Sequence, residues 1–122
     1  MIIGPGDGRA YDMGPRITTT FMHDDERSSV SEWWLEPGTL GPGFHQHDDD
    51  DLFYVLGGTM TFRLGDEAVD AVAGTFVRAP GGTPHDFENR GTERAGFLNV
   101  SVPGGFEGNM PAIADWFRDR DS

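Results

Sequence analysis

From Leu52 onward the chain alternates apolar and polar residues in short runs, each closed by glycine or a turn-forming pair. Leu52-Phe53-Tyr54-Val55-Leu56 is a mostly apolar strand that stops at Gly57-Gly58. Met60, Phe62 and Leu64 then alternate with Thr61 and Arg63, the period-two signature of a half-buried strand. Gly65-Asp66-Glu67 predicts a hairpin turn, and Ala68 to Val72 the returning strand. After the break at Gly74, Thr75 to Arg78, His85 to Glu88 and Gly96 to Val102 continue the series. Upstream, strands are expected over Ile17 to Phe21, where three threonines supply β-propensity, and over Val30 to Leu35, with a polar turn from His23 to Ser28 between them. Gly41-Pro42-Gly43 is a turn into a further strand carrying His45 and His47. The first fifteen residues, rich in Gly, Pro and Asp, predict an extended arm or loop. Helical spacing occurs only at the end, where Pro111 suits a first turn and Ile113, Trp116 and Phe117 share one face of a capping helix. With no repeat or linker, the pattern predicts one all-β domain over 1–122, a small barrel or jelly roll.

Composition narrows the chemistry. At 122 residues the chain can build one good core. Cysteine is absent, which excludes disulfides, zinc ribbons, iron–sulfur clusters and thiol nucleophiles. Any metal must be held by imidazole and carboxylate, a donor set that suits Fe, Mn, Ni, Cu, Co or Zn. The formal charge is −12, and all nine basic residues are arginine. Such a field repels phosphate backbones, so no nucleic-acid partner is expected. The composition fits a salt-adapted cytoplasm or a GC-rich genome. Met1-Ile2-Ile3-Gly4-Pro5-Gly6 lacks a basic region before an apolar core, and no apolar run approaches membrane-spanning length, so a cytoplasmic protein is expected.

Three of the four histidines fall into two clusters. His45 and His47 sit in Gly43-Phe44-His45-Gln46-His47, ahead of four aspartates, and His85 ends Pro80-Gly81-Gly82-Thr83-Pro84-His85. In a strand, residues two apart point to one face, so both imidazoles of the first pair can reach one ion. His23, in its polar turn, reads as a surface histidine. In the aspartate run at least two carboxylates must be solvated, because each close pair repels by about 1 kcal/mol in water. A bound dication would offset that repulsion at Asp51, with Asp50 as the competing ligand if the register slips by one.

These residues resemble the cupin superfamily. His45-x-His47, three aspartates, Asp51, six residues and Gly58 match the spacing of the first cupin motif. Gly74, Pro80, Gly82, His85 and Asn89 satisfy every position of the second, and fifteen residues separate Gly58 from Gly74, as in compact members. There are three departures. Thr39 stands for the opening Gly, though Gly38, Gly41 and Gly43 can supply the turn. Gly57 replaces an acidic residue. Asp51 stands where a cupin has its ligand glutamate, one methylene longer, so the backbone moves inward, the carboxylate binds through water, or the ligand is lost.

The resemblance implies a single-domain cupin jelly-roll, a double-stranded β-helix barrel with its core about 30–103, an N-terminal arm and a short C-terminal helix. It implies one divalent transition metal held by His45, His47, Asp51 and His85. The layout is similar to small quercetin dioxygenase-like proteins, which implies dioxygenase-like oxidation of a small hydrophobic or aromatic enol or hydroxy-ketone, with Asp51 as the general base. The same ion could instead serve a non-oxidative isomerase, lyase or cyclase, and a small-molecule binding cupin without turnover is the third reading. Trp33 and Trp34 occupy opposite strand faces, so one lines the barrel. Trp34, Tyr54, Phe62, Phe76 and Phe97 are the candidates for the pocket wall. Arg63, Arg78 and Asn99 could contact substrate or make surface bonds. A homodimer formed through the first strand and the N-terminal arm is expected, with a small-molecule substrate and no membrane partner.

Overall fold

The fold is taken from a computed structural model that describes residues 1–121. Among these residues, strands form at Arg9–Asp12 (β1), Ile17–Asp24 (β2), Ser29–Leu35 (β3), Asp50–Gly57 (β4), Thr59–Leu64 (β5), Glu67–Val72 (β6), Phe76–Ala79 (β7), His85–Glu88 (β8) and Ala95–Val102 (β9). A 3₁₀ turn at Phe106–Asn109 leads into the helix Met110–Arg120 (α1). One sheet runs β1-β2-β3-β9-β4-β7 and the other β6-β5-β8, with antiparallel pairing throughout. No helix among the described residues is long and apolar enough to cross a membrane.

Alternation along three adjacent strands builds the interior. β3 turns Trp33 and Leu35 inward, β4 turns Asp51, Phe53 and Val55, and β9 turns Phe97, Asn99 and Ser101. The register places Trp33 beside Phe97, Phe97 beside Val55, Asn99 beside Phe53 and Ser101 beside Asp51. From the second sheet, Phe62 and Phe87 meet Phe53 and Phe97 with ring centroids 4.9–6.3 Å apart. Each such aromatic side chain, fully buried, contributes about 2–3 kcal/mol through the area it removes from water. The aromatic packing therefore ties the two sheets together directly below the histidine layer.

Three expectations need correction. The N-terminal arm contains β1, paired with β2, because Arg9 and Tyr11 both bind Glu107, at 2.6–2.7 Å. His45 and His47 lie in no strand; the backbone of His45 makes a single bridge to His85 (N···O 3.1 and 2.9 Å). In α1 the buried face is Met110, Ala114 and Phe117, while Trp116 is half exposed and packs on Phe117 and Arg120. The helix is held by Arg118, which donates to the carbonyl of Asp12, and by Arg120, which donates to the carbonyls of Leu40 and Gly41.

The departure at Thr39 is absorbed locally. Thr39 is buried, and its carbonyl accepts the Asn89 N–H at 2.9 Å. Gly41 makes the close approach, since a Cβ there would stand 1.8 Å from the Phe87 carbonyl oxygen. Gly41→Ala is expected to cost about 2–3 kcal/mol in urea unfolding. Gly108→Ala, where a Cβ would meet nothing within 4 Å, should stay within about 0.5 kcal/mol of wild type.

Candidate metal centre

The loop after Gly43 contributes His45 and His47, the start of β8 contributes His85, and the second residue of β4 contributes Asp51. Ligand atoms of the three histidines lie within 4.8 Å of one another, as do those of His47, Asp49 and Asp51. Both histidines of the first pair face this point without a strand to align them. The loop is pinned instead by the His45–His85 bridge and by the His47 carbonyl, which accepts the Gly82 N–H at 2.8 Å.

Two imidazoles are oriented from behind. Nδ1 of His45 lies 2.9 Å from the Gly43 carbonyl, and Nδ1 of His85 lies 2.9 Å from the Thr83 carbonyl. A carbonyl only accepts, so each Nδ1 carries the proton and Nε2 is the ring atom left for the centre. His47 differs. Its Nδ1 and Nε2 lie 2.7 Å from Asp49 and 3.0 Å from Asp51, yet neither forms a hydrogen bond and both nitrogens are buried.

Asp51 is 5% exposed. Its Oδ1 accepts from the Ser101 hydroxyl at 2.8 Å and from the Asn99 amide at 3.3 Å. Its Oδ2 faces the imidazoles, 3.1 Å from His85 Nε2 and 3.0 Å from His47 Nε2. Adjacent ligands on an ion with bonds of about 2.1 Å stand roughly 3.0 Å apart in octahedral geometry. Those two spacings, together with the unsatisfied His47 nitrogens, fit a divalent transition metal. The shorter aspartate comes within 3.0–3.1 Å of the imidazoles, because β4 begins one residue upstream and delivers Asp51 at an inward position. The same alternation turns the carboxylate of Asp50 outward, to the Gly81 N–H at 2.8 Å and towards Arg78.

Burial opposes charge on both partners of the His85–Asp51 pair, and their mutual bonding prevails. Burial raises the Asp51 carboxyl, but bonds from His85 and Ser101 and the charge of His47 bring it below the ordinary value. Burial lowers His85, but Asp51 and the Thr83 carbonyl carry it above the ordinary value. For His45 burial dominates and the imidazole is held below the ordinary value.

Sequence reasoning did not single out the clamp that holds this loop. Asp86 is buried, pairs with Arg63, and accepts the Gly43 N–H at 3.1 Å and the Phe87 N–H at 2.8 Å. The Arg63 guanidinium also lies over the Phe44 ring, 4.4 Å from its centroid. Arg63 is thus a structural cation, and the signal the sequence carries for the clamp is that Asp86 directly follows His85.

A cavity of about 320 Å³ opens from the cluster. Trp33, Phe53, Phe87 and Phe97 form much of its wall, and Phe106, Ile113 and Phe117 from the C-terminal segment close it. Of the expected wall residues, Phe97 lines it. Phe62 is buried behind Phe53 and Phe97. Tyr54 and Phe76 are cross-strand partners on the outer face, 47% and 59% exposed, because strand parity opposes Tyr54 to Asp51. Trp34 also points outward. Its indole lies against Gly57 and Gly96, where a Cβ would stand 3.0 and 2.2 Å from the ring, and under Arg94. Trp33 takes the inward place.

The family model described as "Cupin domain" matches residues 31–101. The chain is a cupin. No curated protein matches it. Among solved structures, a protein from Thermus thermophilus is 27% identical, with 75% of this chain and 88% of that one covered and a TM-score of 0.68. A predicted oxalate decarboxylase from Thermotoga maritima is 20% identical over 84% of this chain and 99% of that one, with a TM-score of 0.74. The polyketide cyclase RemF from Streptomyces resistomycificus is 22% identical over 84% and 78%, with a TM-score of 0.70. This cupin shares with them the jelly-roll fold, and it carries a His/Asp cluster able to hold a metal.

The metal-free protein should show the ion pair directly. A histidine raised on folding contributes stability below its ordinary value, about 6.5, and loses that contribution as pH rises through the raised value. A lowered aspartate contributes above about 3.9 and loses it on acidification. Asp51→Asn should therefore destabilise the metal-free cupin more at pH ~6 than at pH ~8.5, by about 2 kcal/mol at the lower pH, read as urea midpoints.

Proposed function

We propose that His45, His47, Asp51 and His85 hold one divalent transition metal, and that the cupin oxidises a small hydrophobic or aromatic enol or hydroxy-ketone in a dioxygenase-like reaction. The supporting observation is the convergence of the Asp51 Oδ2 and two imidazole nitrogens, at 3.0 and 3.1 Å, at one end of an aromatic cavity. A bound ion supplies Lewis acidity to an enolate or carbonyl oxygen and, where it is iron, nickel or copper, redox access to dioxygen. Asp51 accepts the proton of the enol or α-carbon at Oδ2, since Ser101 and Asn99 already occupy Oδ1. Trp33, Phe53 and Phe97 present flat apolar surface to the substrate body, and Phe106, Ile113 and Phe117 exclude water from the reacting end. Likeness to RemF supports a second reading in which the same base and Lewis acid cyclise or isomerise without oxygen.

Metal stoichiometry by mass spectrometry on untagged protein is the primary test. About one transition metal per chain is expected in wild type and none in His85→Ala. Oxygen uptake with flavonols and other enediols then separates the two reactions. Asp51→Asn should lower turnover at least ~100-fold and weaken the metal; retention of both would remove Asp51 from the proposed role. Restoring the longer family residue should not help. Asp51→Glu displaces the carboxylate from the Ser101 and Asn99 bonds and crowds the imidazoles, so metal affinity should fall about tenfold in competition with a chelating dye.

A further inference from the structure

Apart from His47 and the exposed amide of Asn109, the polar groups around the cavity present acceptors. The Nδ1 protons of His45 and His85 are committed to the Gly43 and Thr83 carbonyls, so Nε2 is the ring atom left on each. Asp51 offers a carboxylate oxygen. Asn99 is 7% exposed and lines the cavity, and its Nδ2 donates to the Asp51 carboxylate and, at 3.2 Å, to the Leu52 carbonyl. Both of those partners can only accept, so the amide nitrogen must face them. The amide oxygen of Asn99, with no partner among the described residues, is the group left for the cavity.

Fixed cations are missing from the wall: among the described residues no arginine lines the cavity, and the chain has no lysine. Arg63, the guanidinium tied nearest the histidine loop, is committed to Asp86 and Phe44. A ligand carboxylate entering this space would be desolvated beside Asp51, within a chain of formal charge −12, with only a bound metal to offset it. A hydroxyl meets the opposite situation: an unpaired acceptor in an apolar wall, which favours a donor strongly over its absence.

We propose that this cavity selects an uncharged, largely apolar ligand with two neighbouring oxygens, one directed at the histidine–aspartate cluster and one a hydroxyl that donates to Asn99 Oδ1, and that it rejects carboxylate analogues. This rests on the metal-dependent reading above and names its substrate class: neutral vicinal diols, enediols and hydroxy-ketones on an aromatic body. Asn99 is then a specificity residue for the ligand as well as a positioning residue for Asp51.

The test is titration calorimetry on zinc-loaded protein, where a redox-inert ion prevents turnover. The probes are methylcatechol, protocatechuate (a carboxylate in place of the methyl) and creosol (one hydroxyl methylated). Methylcatechol should bind at least ten times more tightly than protocatechuate. Ile113→Arg, which adds a cation to the wall, should bring the two within threefold or reverse them. Creosol should bind at least ten times more weakly than methylcatechol in wild type. In Asn99→Leu that ratio should fall below three, and because it is taken within one variant, any change in metal affinity cancels. Equal affinity for methylcatechol and protocatechuate, or no measurable methylcatechol binding, overturns the proposal. A creosol penalty undiminished in Asn99→Leu assigns the second oxygen to the metal and overturns the role of Asn99. Should zinc fail to load, the metal reading fails by itself, and the neutral-over-carboxylate preference is read on the metal-free protein.

Discussion

A carboxylate at the inner end of an apolar cavity is the constraint around which the rest is organised. Asp51 is almost wholly removed from water, and an unpaired buried charge would cost several kcal/mol. Four groups from three separate stretches answer it: His47, His85, Ser101 and Asn99. Each must arrive with a donor or a positive edge, which fixes the register of β9 on β4, the start of β8 and the path of the loop after Gly43. The aromatic core below holds the two sheets at the separation these contacts require. Fold and site are thus one problem solved by the same strands.

The four consecutive aspartates show how a repetitive sequence becomes differentiated. Asp51 turns inward to the imidazoles. Asp50, one residue away and on the opposite face, accepts the Gly81 N–H and thereby ties the second histidine segment to β4. Asp49 lies beside His47 Nδ1. The repulsion expected of such a run is relieved in part because strand alternation turns Asp50 away from Asp51, while Asp49 and Asp51 share the His47 ring between them.

The histidines and Asp51 were legible from spacing, and so were most strands, because a two-residue period survives in the sequence. What escaped was decided by partners distant along the chain. β1 lacks an apolar pattern and exists through pairing with β2 and through Glu107. Trp33 and Trp34 are equivalent by sequence; the missing side chains at Gly57 and Gly96 leave room for one indole on the outside. Tyr54 was a different kind of miss, since its parity against Asp51 on the same strand already placed it outward. Ser101 carries no motif, and the antiparallel register of β9 on β4 brings it to the site; Asp86 follows His85 directly, but its partners Arg63 and Gly43 are distant along the chain.

The residues that converge on the prospective ion all lie within the stretch shared with the family, 31–101, whereas Phe106, Asn109, Ile113 and Phe117, which shut the cavity, lie beyond it. The prospective ligands and one side of the cavity wall are therefore encoded in the family stretch, and the other side of the wall in the tail. Substitution in the tail can remould that side of the chamber without touching the histidine–aspartate cluster, so a barrel of this kind can change what fits beside an unchanged cluster.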